Sequence, residues 1–232
     1  MKVAEKEAIS LLITGAWVLT QNKEREVFSP GAVALKGEEI VAVGPPEDLH
    51  KLYAPGQVLD YPQGLIIPGL INSHTHAAMS LFRGLADDLP LEDWLNLHIF
   101  PAEKHLNGDY VYWGTKLAVA EMLLSGTTTF CDMYLWAGQV AQAAAETGIR
   151  AVVGEVLYDF PSPNYGPPAA GLLYSEELWH TWRDQWGHVS CLLTGSVMSR
   201  TPLQKAQLTI FTSRFEKGCH GHQTFRLHNP SS

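Results

Sequence analysis

The sequence predicts an α/β chain: a small β-domain over residues 1–64, then strand–helix alternation over 65–185, the pattern of a parallel sheet or a (β/α)8 barrel. Three observations carry this. Residues 9–60 hold short β-branched and apolar runs punctuated by Gly and Pro. From Leu65 onward, apolar strand-like runs alternate with stretches of helical periodicity. The run LIIPGLINSHTH ends on two histidines one residue apart, at the strand end where a parallel sheet gathers its chemistry.

In chain order, SLLITGAWVL, GAVALKG and EEIVAVG read as strands of the first domain. The opening MKVAEKEAISLLITGAWVLT resembles a leader only superficially: Glu5 and Glu7 spoil a basic start and Thr14-Gly15 interrupts the apolar stretch, so a strand is expected. LIIPGLINSHTH is the first strand of the second domain, apolar enough to be buried on both faces. Over 109–124, Tyr110, Trp113, Leu117, Ala120 and Leu124 form a stripe at helical spacing, with Asp109 the expected N-cap and Gly126 the expected stop. TTTFCDMY is a second strand and WAGQVAQAAAETG a second helix; IRAVVGEVLY and SEELWHTWRDQW repeat the pair. Between those last two, FPSPNYGPPAAG reads as a long loop, either on the catalytic face or an ordinary surface connection.

A length of 232 residues allows one barrel-sized domain or two small ones, and 46% hydrophobic residues suffice for a core. A net charge of −8 argues against non-specific nucleic-acid binding, which needs clustered Lys and Arg. Cys131, Cys191 and Cys219 are odd in number and widely spaced, the usage of reduced thiols in the cytoplasm. No run approaches the roughly 18 apolar residues of a membrane span. Residues 186–232 differ from the rest. Residues 1–185 hold 11 basic and 23 acidic side chains, whereas the last 47 hold five basic residues, the single acid Glu216, two of the three cysteines and four of the ten histidines. Their charges are scattered rather than clustered, and alternation fades.

His74 and His76 carry the chemistry. Side chains repeat every two residues in a strand, so both point the same way, about 6–7 Å apart along the backbone, and can share one divalent metal. A bare His-x-His is more often a pair of surface or hydrogen-bonded histidines; the apolar strand before this one shifts the balance.

PGLINSHTHAAMSLFRGLADDLPLEDWL, then FPAEKH, then LLSGTTTFCDMY resemble the amidohydrolase superfamily, and within it the 5-methylthioadenosine/S-adenosylhomocysteine deaminases and related chlorohydrolases. The resemblance runs from about Leu11 to Trp182 and implies the N-terminal part of a metal-dependent (β/α)8 TIM barrel, about three βα units long and incomplete, behind a small β-sandwich-type domain. It implies one metal, usually zinc, with iron or nickel as alternatives. His74 and His76 would be two of its ligands, a third histidine coming from a middle strand and an aspartate from the last. The implied reaction is hydrolytic exchange of the purine amino group for oxygen, releasing ammonia from a small nucleoside substrate. Trp94 matches an aromatic that closes over substrate, its alternative being a core tryptophan. Glu103 matches a carboxylate that binds ribose hydroxyls, its alternative being an acid favoured by a helix N-terminus.

Glu155 stands where some relatives carry an arginine, which leaves the substrate open. His98 and His105 read as surface imidazoles and Cys131 as a small buried residue. No His-x-x-Glu follows the third helix and no late strand ends in an aspartate, so the catalytic acid–base residue stays unassigned. His188, and the second His-x-His at His220 and His222, lack the surrounding pattern of a ligand strand. The chain is therefore expected to be truncated or frame-shifted after about residue 185. Its function is either such a deaminase, a chlorohydrolase or other aromatic deaminase, or that of a non-catalytic barrel fragment or scaffold subunit, with a homo-oligomer in view.

Overall fold

The computed structural model describes residues 5–182 and the backbone of 189–191 and 197–198. The chain divides into two units at Gly69–Leu70.

The first unit is a five-stranded sheet. Its long strand β1 (Glu7–Leu19) lies between antiparallel β3 (Gly31–Lys36) and parallel β5 (Tyr53–Ile66). Strand β2 (Val27–Phe28) extends the end of β1, and β4 (Glu39–Gly44) pairs with β3. The three strands expected from sequence are β1, β3 and β4. Helix α1 (Pro46–Leu52) starts on a proline, which suits a first helical position because its missing N–H would have no partner there. Leu49 of this helix joins Ile9, Leu12, Ala32 and Ala34 in the core of the unit.

The run expected as one strand, LIIPGLINSHTH, is divided between the units. Leu65 and Ile66 close β5 against Trp17 and Val18, and the next strand, β6, begins at Leu70. Pro68 lies between them, and a proline has no N–H to give a ladder.

The second unit is the α/β half. Strands β6 (Leu70–Thr75), β7 (Thr127–Tyr134) and β8 (Arg150–Glu155) pair in parallel, and β10 (Val189–Cys191) adds a fourth parallel strand beside β8. The short strands β9 (Leu157–Tyr158) and β11 (Val197–Met198) form a parallel pair of their own. Between β6 and β7 the chain makes a 3-10 turn (Ala77–Phe82), then α2 (Leu91–Asp93), a π-helical segment (Trp94–Ile99), α3 (Phe100–Glu103) and α4 (Gly108–Leu124). Helix α5 (Ala137–Thr147) joins β7 to β8, and α6 (Pro168–Trp182) follows β9.

Three local expectations are corrected. The N-cap of α4 is Asn107, whose side chain accepts the Tyr110 N–H at 3.0 Å, while Asp109 sits in the first turn. Asn at the cap and Asp one turn in both serve the free N–H groups, so the two roles are easily exchanged on paper. Second, α4 buries Val111, Gly114, Thr115, Ala118, Val119 and Met122, whereas Tyr110, Trp113, Leu117 and Leu124 of the expected stripe are exposed. The helix is apolar on more than one face, so spacing alone selected the wrong one. Third, α6 starts at Pro168, inside the expected loop, because Pro opens a helix well and Gly171 lets it approach Leu157 and Tyr165. Gly126 follows α4 with φ +82°, as a helix stop in the left-handed region should.

The core of this unit lies between the sheet and its helices: Phe130, Val153 and Ala151 from the strands meet Val111, Val119, Val140 and Ala144 from α4 and α5. Phe130, Asp132 and Tyr134 alternate with less buried residues along β7. The acid and the phenol therefore end a row that starts in apolar core.

Candidate functional site

Parallel strands bring their C-terminal ends to one side of a sheet, so the residues that close β6, β7 and β8 share a mouth. His74 is on β6 and His76 follows its last residue. Their rings lie 5.0 Å apart between centroids and nearly perpendicular. His74 is exposed and His76 half-buried. The ladder between β6 and β7 shifts register between Asn72 and Thr75, which turns this strand end away from regular pairing.

The His76 ring is held from behind. Its Nδ1 is 2.5 Å from the Met133 carbonyl oxygen. A carbonyl only accepts, so Nδ1 carries the proton and Nε2 keeps a free lone pair. Burial pushes the His76 pKa below its usual value; the Met133 carbonyl opposes this and the neighbouring His74 adds slightly to it. A neutral ring with Nε2 free is the form that binds a metal. Zinc–nitrogen bonds of about 2.0–2.1 Å place two imidazole nitrogens roughly 3.3 Å apart on a tetrahedral ion, which rings with centroids 5.0 Å apart can satisfy. Among the described residues no cluster of three or more His, Cys, Asp or Glu side chains could hold a metal; His74 and His76 bring two imidazoles together.

Beside the histidines stands a buried acid–phenol group. The His76 and Tyr134 rings are 5.9 Å apart. Glu103, the last residue of α3, is buried, and its Oε2 accepts the Tyr158 hydroxyl at 3.0 Å. Burial pushes the Glu103 pKa up, and the Tyr134 and Tyr158 hydroxyls pull it back. The Tyr134 hydroxyl reaches this carboxyl electrostatically without a hydrogen bond of good geometry. Burial beside Glu103 raises both tyrosines strongly, so they stay protonated. Phe160 stacks on Tyr158 at 4.4 Å, and Phe100 meets both rings edge-on. The result is an apolar wall around one carboxyl. Such a wall suits a flat, partly apolar ligand that offers hydroxyl groups to an acid.

Trp94 is half-buried at the first residue of the π-helical segment, whose far end leads into Phe100 and Glu103. A π turn in this position is an irregularity that recurs at functional sites. His98 is half-buried and His105 exposed. Cys131 is half-buried, with its thiol pushed up by burial and by Asp132, the opposite of an activated nucleophile. His188, His220 and His222 lie outside the described side chains.

Two residues that sequence reasoning missed organise the mouth. Asp132 is wholly buried, and its Oδ1 accepts the Ala77 N–H at 2.6 Å. Burial pushes its pKa up to about 7 against the pull of that bond. Glu155, noted only as a departure from an arginine, is likewise buried, and its Oε2 accepts the Ala137 N–H at 3.0 Å and the Asn164 amide at 3.1 Å. Each acid near a strand's C-terminal end thus binds the first residue of the helical element that follows the neighbouring strand. The signal available in sequence was an acid in an otherwise apolar strand.

The expected long loop is an ordered connection. Ser162 and Gly166 bridge it, Tyr165 Oη accepts the Tyr158 N–H at 2.8 Å and donates to the Val156 carbonyl at 3.1 Å, and Asn164 reaches Glu155. Among the described residues no helix is long and apolar enough to cross a membrane.

The Amidohydrolase family matches residues 65–212, beyond the point where composition changes. The chain is 58% identical over 174 residues to 5-methylthioadenosine/S-adenosylhomocysteine deaminase of Syntrophobacter fumaroxidans, covering 75% of this chain and 40% of that protein. It is 48% identical over 177 residues to 5-methylthioadenosine/S-adenosylhomocysteine deaminase 1 of Syntrophus aciditrophicus, covering 76% and 40%. Among solved structures, an adenosine deaminase from Xanthomonas campestris with bound zinc superposes with a TM-score of 0.77 at 36% identity, over 84% of this chain and 44% of that one. The chain thus spans about 40% of the length of these curated relatives. With a matched stretch that takes in the His-x-His strand, the buried acids and the sheet that carries them, this chain belongs to the amidohydrolase family.

Proposed function

We propose that the chain supplies the N-terminal share of a zinc-dependent deaminase site acting on an adenosine-type nucleoside of the 5-methylthioadenosine or S-adenosylhomocysteine kind. The observation that carries the reading is the His74–His76 pair beside the Glu103–Tyr158 group at one sheet end. The names and the bound zinc of the relatives support it. On this reading the second unit is the N-terminal part of a (β/α)8 barrel, and the first, which reaches Gly69 rather than residue 64, is a small β-sandwich-type domain. The partner is a small nucleoside rather than nucleic acid or membrane, in a cytoplasmic chain, in keeping with the net charge of −8.

A bound zinc ion would supply a water whose pKa is lowered to about 7. His74 and His76 would hold the ion, His76 through Nε2 with its Nδ1 proton committed to Met133. Glu103 receives the ribose hydroxyls on its free oxygen while Tyr158 fixes the other. Phe160 and Phe100 keep water from that carboxyl, and Trp94, on the segment leading into Phe100, covers the purine.

Calorimetry of the chain with 5-methylthioadenosine and S-adenosylhomocysteine, with and without zinc, tests the reading, with ammonia release as the second readout. Zinc-dependent nucleoside binding that is lost in Glu103→Gln and in His74→Ala/His76→Ala is the expected result. Absence of nucleoside binding to zinc-loaded chain overturns it. A second reading, a non-catalytic barrel fragment or scaffold, draws on the finding of only two clustered metal donors among the described residues. One tightly held zinc per chain after dialysis would count against it.

A further inference from the structure

His76 is the hinge between β6 and the 3-10 turn that follows, and that turn has no cap from its own preceding side chain. Its first N–H, on Ala77, falls just past the last ladder contact, Thr75 with Asp132. We propose that Asp132 is a positioning residue for His76: by taking the Ala77 N–H at 2.6 Å it fixes the backbone beside the imidazole, so that Nδ1 meets the Met133 carbonyl and Nε2 is left open for a metal.

Consecutive residues of β7 hold the histidine from two sides, Asp132 through the next backbone amide and Met133 through the ring. Together they remove the two freedoms that decide where Nε2 points, the backbone turn at residue 76 and rotation of the ring. Outer partners of this kind set the tautomer and direction of a metal-ligating histidine. Asp132 makes its bond while fully buried, and among the described residues its Oδ2 has no hydrogen-bond partner. A carboxyl kept in such a place for a single backbone contact is costly to the fold, which points to the contact itself as the reason for the residue. Glu155 provides an internal control, because it makes the same kind of contact one strand over, to Ala137, which is preceded by Trp136 rather than by a ligand-type side chain.

The inference rests on the metal-site reading, and its test is independent of nucleoside binding. The chain labelled with 15N-histidine is observed free of metal, above the histidine titration range, by long-range proton–nitrogen correlation, with His76→Gln to assign the signal. Cobalt(II) titration of the same samples follows. Wild type and Asp132→Asn, which keeps an acceptor oxygen, should show His76 with Nδ1 protonated and similar cobalt affinity. Asp132→Ala should mix the tautomers and lose about 10–100-fold in affinity. Glu155→Gln should change neither. A folded Asp132→Ala with the wild-type tautomer and affinity overturns the assignment. Should Asp132→Ala fail to fold, Asp132→Asn decides: wild-type behaviour supports the role, and a lost tautomer in that variant refutes it. Loss of nucleoside binding alone would strike the deaminase reading and leave this one standing.

Discussion

Glu155 on β8 accepts the Ala137 N–H at 3.0 Å and thereby caps α5 from another strand, since Trp136 offers that helix no side-chain cap. The next N–H, of Gly138, goes to Tyr174 Oη at 3.3 Å. Two of the four free N–H groups at the start of α5 are thus met by tertiary partners. The arrangement costs a buried carboxyl, whose Oε1 has no hydrogen-bond partner among the described residues.

This has a pH signature. Burial, more than the charge of Asp132, raises the Glu155 pKa from 4.5 to about 8, against the pull of the Ala137 and Asn164 donors. The folded state therefore binds a proton that the unfolded state has released. Its contribution to stability is full below about 4.5 and is lost progressively as pH rises to about 8. Each unit of such a shift corresponds to about 1.4 kcal/mol. Urea denaturation across this window should show stability falling with pH, and Glu155→Gln should flatten the slope. A slope unchanged in the variant would refute the assignment.

The Tyr158 hydroxyl is the hydrogen-bond donor to the buried Glu103. Tyr158→Phe should raise the Glu103 pKa further and destabilise the chain by about 1–3 kcal/mol, the cost of leaving a buried acceptor unmet. Nucleoside affinity should fall with it. Equilibrium denaturation and calorimetry on one preparation measure both.

His74→Ala and His76→Ala should each weaken zinc binding by more than the about 10–100-fold that an outer partner costs. A zinc titration monitored by calorimetry reads this directly. Equal affinity in either variant and wild type would move the metal elsewhere.

Gly114 on α4 faces the turn after His76: a Cβ there would lie 2.7 Å from the Ala78 carbonyl oxygen and 3.0 Å from Leu81. Ser80 Oγ also donates to the Gly114 carbonyl at 2.8 Å. Gly114→Ala should cost about 1–3 kcal/mol through overpacking, despite the better helix propensity of alanine. Thermal denaturation tests the sign, and a stabilised variant would contradict the contact.

The two faces of α4 can be told apart by substitution. Trp113 is 66% exposed and Leu124 90% exposed, whereas Met122 belongs to the core. Trp113→Ser should change stability by no more than about 0.5 kcal/mol, and Met122→Ala should cost about 2–5 kcal/mol. The reverse ranking would restore the stripe expected from spacing.

Period-2 and helical spacing, with Gly126 as a stop, were enough to locate β6, α4, β7 and α5 of the second unit, but not the short helical turns between Ala77 and Glu103. The His74–His76 pair was equally legible, because a ligand pair on one strand is a local pattern whose spacing fixes direction. The break at Pro68 was legible in principle, since proline removes a ladder donor, but its effect depended on β5 finding β1 as a partner. The buried face of α4 was not legible. An apolar residue is compatible with either face until a sheet covers one of them.

What the sequence by itself determined is the α/β alternation, the metal-type histidine pair and the family, all carried by patterns within a few dozen residues. Only the tertiary structure decided the roles of Asp132, Glu155 and Tyr158. Each bonds to a group 18 to 55 residues away. A hydrogen bond across that separation depends on which strands lie side by side and in what register, and no local periodicity records it.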